Sequence, residues 1–137
     1  MSKTHADSEV LFPKSPIERL PGKAPGRCLG SGFGSLAFLA TVAHDRDADL
    51  TAQARDALAR LDAQLSELGS SRAEILSATV FLADLTTKPQ FDAVWVEWIG
   101  QDRQAWPQRV CVGAALAGST LVEISAIAAR SQFVAKA

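Results

Sequence analysis

Ile75-Leu76-Ser77-Ala78-Thr79-Val80-Phe81-Leu82 decides how this chain folds, because it sits between two stretches of opposite periodicity. It is rich in β-formers and alternates: Leu76, Ala78, Val80 and Leu82 fall on one face, and Ser77, Thr79 and Phe81 on the other. Upstream, Ala54, Ala57, Leu58, Leu61, Leu65 and Leu68 recur at three- and four-residue spacing, which predicts a helix capped by Asp49 or Thr51 and stopped by Gly69. The apolar face of the strand is expected to meet that helix. Downstream, Pro89 suits a first helical turn, and Phe91, Val94, Trp95, Trp98 and Ile99 line one side of a second helix that Gly100 ends.

Moving outward, Arg27 to Ser31 and Leu36 to Val42 read as two strands joined by a Gly/Ser turn, with a charged loop from His44 to Asp49 after them. Arg109 to Ala115 and Leu121 to Ala128 read as two closing strands around a short loop at Leu116-Ala117-Gly118-Ser119, a closing hairpin. The predicted order is ββαβαββ, an α+β domain with a mixed sheet packed by two helices. Four prolines, Pro13, Pro16, Pro21 and Pro25, make residues 1–25 a loose arm or at most an edge strand. The folded domain is expected over 26–132 and a C-terminal tail over 133–137.

Composition narrows the function classes. With 137 residues, 47% hydrophobic and 21% charged, the chain can build one core but not two. A net charge of -1 provides no field to gather phosphates, and the Lys and Arg residues are scattered, so no nucleic-acid partner is expected. Met1 to Pro16 lacks the apolar core of a signal peptide, and the longest apolar run, Leu36 to Ala43, is too short for a membrane span. A cytoplasmic protein without membrane insertion is the expectation. Cys28, Cys111, His5 and His44 show no ligand-like spacing, so neither a metal nor another cofactor is called for. Cys111 could be a nucleophile, but nothing near it in sequence would activate the thiol, and a small buried hydrophobe is the simpler reading.

Two charged residues interrupt otherwise apolar strands. Arg109 shares a strand face with the small residues Cys111 and Gly113, which leaves room for a bidentate carboxylate; alternatively it is structural, paired with an acidic side chain or sitting in solvent. Glu123 lies within Leu121-Val122-Glu123-Ile124-Ser125-Ala126-Ile127, where it must face water, pair with a cation or line a pocket. Both readings of each residue stay open at this level.

Taken together, Thr51-Ala52-Gln53-Ala54-Arg55, Ala78 to Leu85, Phe91-Asp92 with Trp95, Pro107 to Val112, and Val122 to Ala128 form a recognisable series. In this series the chain resembles the Rid family of reactive-intermediate deaminases, also called the YjgF or UK114 family. The resemblance runs from about residue 27 to about residue 130. It implies a chorismate-mutase-like α+β fold and a homotrimer with ligand pockets between subunits. In such proteins the arginine matching Arg109 binds the substrate carboxylate, groups near Cys111 help hold the ligand, and the glutamate matching Glu123 positions the hydrolytic water. The substrates implied are small carboxylated enamines and imines such as 2-aminoacrylate, and the products are a 2-keto acid and ammonia.

Three features depart from the family pattern. The usual Ser-Gly pair of the pocket appears as Leu39-Ala40, the chain has no Tyr, and the family asparagine of the second helix is Asp92. Leu39, Ala40 and Asp92 are thereby expected among the ligand-contacting positions. The leading expectation is an imine-hydrolysing trimer with Arg109 as anchor and Glu123 as water-positioning group on the same side of the closing hairpin. The alternative is a metabolite-binding or regulatory trimer that keeps Arg109 but not efficient hydrolysis. Ribonuclease activity, ascribed to some relatives, comes third, because RNA binding favours basic and stacking surfaces. Phe81, Leu121 and Ile127 are expected on a second sheet face that a partner copy would bury.

Overall fold

The computed structural model describes residues 16–131. Residues 1–15 of the expected arm, with His5, and the expected tail at 133–137 lie outside the described residues. Strands β1 (Ile17–Leu20), β2 (Gly30–Phe33) and β3 (Leu36–Val42) come first, followed by helix α1 (Leu50–Glu67) and strand β4 (Ile75–Leu82). Helix α2 (Lys88–Ile99), β5 (Gln108–Gly113) and β6 (Val122–Ala129) complete the order. β1 lies at the edge of the sheet, paired with β2 from Ile17 opposite Phe33 to Leu20 opposite Gly30.

Asp49, of the two candidate caps, starts α1: its carboxylate accepts from the Ala52 N–H at 2.9 Å, relieving one of the orphan donors of the first turn. At the other end Gly69 takes φ 80°, where a Cβ would be strained, and the Ser70 N–H closes back onto the Leu65 carbonyl at 2.9 Å. The stripe Ala54, Ala57, Leu58, Leu61 and Leu65 is fully buried against Ala37 and Leu39 of β3 and Ile124, Ala126 and Ala128 of β6. Phe91, Val94, Trp95 and Ile99 of α2 join the same core.

The sheet runs β1-β2-β3-β6-β4-β5, and only the β4–β5 pair is parallel. The expected closing hairpin does not form. Parallel strands need a crossover, and α2 supplies it, carrying the chain from β4 to β5 at the sheet's edge. β6 then returns to fill the slot between β3 and β4, where both of its flanks find antiparallel partners. Ala114 N–H donates to Leu82 O at 2.9 Å and Ala83 N–H to Leu121 O at 3.0 Å, so both ends of the β5–β6 connection are pinned to the end of β4. In β4 the alternation slips at one place. A bulge between Ile75 and Ser77 buries Ile75 and turns Leu76 outward, contrary to the period-two reading.

A buried glutamine, unmarked by periodicity, holds the loops around β6. Gln53 is fully buried on α1; its Nε2 donates to the carbonyls of Arg46 and Ala48 at 3.0 Å and of Ser119 at 3.2 Å, while its Oε1 accepts from Leu121 N–H at 2.9 Å. One side chain thus satisfies main-chain groups of two loops far apart in sequence. Gln53→Leu keeps the volume but leaves those groups unpartnered, and we expect a loss of about 2–3 kcal/mol in urea unfolding with the slope unchanged. A variant as stable as wild type would show that the loops hold themselves.

Candidate functional site

Arg109 is placed by the turn before it. Asp102 caps a short 3-10 turn, Arg103–Ala105, by accepting from Gln104 N–H at 3.0 Å, and the Trp106 indole donates to Gly100 O at 2.9 Å. Pro107 then gives way to β5, where Arg109 lies opposite Ala78. Ala78 is buried and small, so the guanidinium can lie across the helix-covered face of the sheet and reach α2. There Arg109 Nη2 donates to Asp92 Oδ1 at 2.6 Å, and Lys88 Nζ donates to Asp92 Oδ2 at 2.7 Å. The guanidinium carbon sits 5.5 Å from the Phe91 ring centre and 5.1 Å from that of Trp95.

Both open readings of Arg109 therefore meet in one geometry. It has an acidic partner, yet its Nε and Nη1 have no hydrogen-bond partner among the described residues, and it lines an open hollow of about 440 Å³ with Asp92, Trp95, Ile99, Trp106 and Pro107. Lys88, which sequence reasoning missed, matters to this balance: two cations around one carboxylate leave the group with net positive charge toward an arriving anion. Its signal was available in the i, i+4 spacing of Lys88 and Asp92.

Partial burial alone would raise the Asp92 pKa, but hydrogen bonds from Lys88 and Arg109, together with their charges, outweigh it and hold the carboxyl below its ordinary range. For Cys111 the balance goes the other way. Burial pushes its thiol up despite the nearby Arg109 charge, so it is no ready nucleophile, and its side chain packs against the core.

Glu123 is elsewhere. Paired strands share a face, and Glu123 lies opposite Phe81 of β4 whereas Arg109 lies opposite Ala78. Those β4 positions differ by an odd number, so the two side chains leave opposite faces of the sheet. The expectation that both lie on one side of a closing hairpin is corrected by this register. Glu123 is half-buried, without a hydrogen bond or ion pair among the described residues, and lines a broad hollow of about 1180 Å³ with Ala40, Arg27, Cys28, His44 and Arg60. In that hollow the Cys28 thiol is lowered, chiefly by its hydrogen bond with Ser31.

Of the other expected contact positions, Ala40 is exposed on the Glu123 face, opposite Ser125. Leu39 points the other way into the core, only 4% exposed, and so cannot touch a ligand. The Glu123 face is apolar around its carboxylate: Phe38, Val110, Val112 and Ile127 are all exposed, and Phe81 is half-buried among them. Leu121, expected there too, packs instead against the core. Among the described residues no helix is long and apolar enough to cross a membrane, and no group of His, Cys, Asp and Glu is gathered to hold a metal ion.

A six-stranded mixed sheet with two helices on one face defines an α+β protein of the YjgF fold. The chain matches the Endoribonuclease L-PSP family over residues 34–130, more than half its length, and belongs to that family, which includes the YjgF, RutC and Rid proteins. It is 37% identical over 65 residues to a RutC family protein of Haemophilus influenzae, a match spanning 47% of this chain and 54% of that protein. It is 30% identical over 121 residues to the Escherichia coli protein named "Putative reactive intermediate deaminase TdcF", covering 83% of this chain and 94% of that one. Among solved structures, NMB1025 of Neisseria meningitidis, a YjgF family member, superposes with a TM-score of 0.75 at 32% identity over 83% of this chain and 94% of its own. TdcF has been crystallised with bound serine, and that structure superposes with a TM-score of 0.74 at 31% identity, over 86% of this chain and all of that one.

Because the folded-state pKa of Asp92 is depressed, its pairing stabilises the fold above the ordinary aspartate pKa, and that contribution is lost as pH falls through the lowered value. Carbon-13 NMR titration of Asp92 should give a midpoint below that of an unperturbed aspartate, and Arg109→Met should move it upward. An unshifted midpoint in both proteins would dissolve the pair in solution.

Proposed function

We propose that the chain hydrolyses small carboxylated enamines and imines of the 2-aminoacrylate type, and that it does so as a homotrimer in which Arg109 of one copy and Glu123 of another share a pocket. One observation carries the reading: Arg109 donors without a partner among the described residues open onto a hollow, while Glu123, likewise without a partner among them, sits on the opposite face amid exposed apolar side chains. Neither half is a complete site alone. A second copy laid on the bare face would bury Phe38, Val110 and Val112 and bring in the missing group. The family membership and the deaminase name borne by TdcF support the same class of reaction.

The chemistry asks little of the protein. An enamine protonated at carbon becomes an iminium, whose carbon is already electrophilic. Arg109 holds the carboxylate, and Glu123 takes a proton from water as its oxygen adds to that carbon. Glu123 passes the proton to nitrogen, the C–N bond breaks as the carbonyl forms, and the hydroxyl proton goes to the departing ammonia, so that a 2-keto acid and ammonium leave. Cys111 has no covalent part in this scheme, in keeping with its raised pKa.

A metabolite-binding trimer without efficient turnover is the second reading, favoured by the Asp92 carboxylate already seated on Arg109. Ammonia release from imino acids generated in the assay separates the two. We expect release by wild type, its loss by a factor of about 100 or more in Arg109→Lys, and little change in melting temperature, since lysine keeps the charge but not the planar fork. Light scattering should give three times the chain mass. An inactive wild type would favour the binding protein, and a monomer would remove the shared pocket.

A further inference from the structure

We propose that Asp92 makes this site select ligands bearing a protonated nitrogen next to their carboxylate, amino and iminium acids, over keto or hydroxy acids of the same shape. The inference rests on the reading of Arg109 as carboxylate anchor and deepens it. Asp92 takes one N–H of Arg109 Nη2 at 2.6 Å and leaves the other, together with Nη1 or Nε beside it, to a ligand. A ligand carboxylate on those donors comes to lie about 4–5 Å from Asp92 Oδ1, since both accept from one planar guanidinium. Two carboxylates at that distance repel each other.

Lys88 relieves the repulsion only in part, because it binds the far oxygen, Oδ2. The near oxygen keeps a second acceptor position, and the Asp92 side chain is 34% exposed, so a ligand can reach it. An ammonium or iminium N–H alpha to the ligand carboxylate would point at Oδ1 and turn the repulsion into a charge-assisted hydrogen bond. A carbonyl or hydroxyl oxygen in its place cannot bring the compensating charge. For the proposed reaction the consequence is directional: the iminium substrate is held by Arg109 and Asp92 together, whereas the keto acid product meets Arg109 with Asp92 against it and leaves readily.

L-alanine and L-lactate share one skeleton and differ in ammonium against hydroxyl, so they serve as probes. Their binding to the full-length protein in its native assembly can be followed through the indole N–H signals of Trp95 and Trp106, which line the hollow. We expect wild type to favour L-alanine about tenfold, Asp92→Asn to bring the ratio to near unity by strengthening L-lactate, and Lys88→Met to widen it. Unchanged melting temperature and mass in both variants would exclude a folding defect. Equal binding of the two probes by wild type, or a preference that survives Asp92→Asn, overturns the proposal. So does a wild type that binds neither probe while Asp92→Asn binds both, for then Asp92 blocks Arg109 instead of selecting. A ratio that shifts as expected in a protein that releases no ammonia upholds the selection and refutes the hydrolase.

Discussion

The insertion of β6 between β3 and β4 is the constraint on which the arrangement of this protein depends. A central strand needs hydrogen-bond partners along both edges, and only that slot offers them to Val122–Ala129. Once β6 is there, its buried set of Val122, Ile124, Ala126 and Ala128 must face the helices, because a slip of one residue would turn all four to the bare face. The same register commits Glu123 to the bare face. β5, held parallel to β4 by the α2 crossover, commits Arg109 to the covered one. Packing alone thus parts the two charged residues of the apolar strands.

Charged groups on the covered side divide by how completely they are paired. Arg130 is almost wholly buried and donates to Glu18 and to the Gly34 carbonyl, tying β1 and the β2–β3 turn to the end of β6. Gly32 lies directly beneath it, so a Cβ there would push the Arg130 guanidinium aside. Arg72 grips Asp62 of α1 and the Trp98 carbonyl of α2, joining the helices. Arg109 differs from both: its single acidic partner is shared with a lysine, and part of its guanidinium is left facing a hollow. The first two are spent on holding elements together, whereas Arg109 keeps donors turned toward open space.

Much of the scaffold was legible because it rests on local periodicity. Both helices, the Asp49 cap, the glycine stops and the β4 run follow from spacing that a single element can express. The failures share one cause. The closing hairpin, the shared side for Arg109 and Glu123, the outward Leu121 and the ligand-facing Leu39 all depended on which strands become neighbours. A bulge at Leu76 and four-way bonding by Gln53 are likewise answers to partners that lie far off in the chain.

By itself the sequence determined the element types, the residues able to carry charge into the sheet, and the family to which their series belongs. Arg109 and Glu123 could be singled out because charges inside apolar strands demand an explanation wherever the strands go. Only the tertiary structure decided that they face opposite ways, that Asp92 and Lys88 close around Arg109, and that an apolar face surrounds Glu123. The reason is physical: periodicity is a property of one strand or helix, whereas faces, partners and shared charges are properties of pairs, and pairing is settled by competition for backbone hydrogen bonds and buried area across the whole chain.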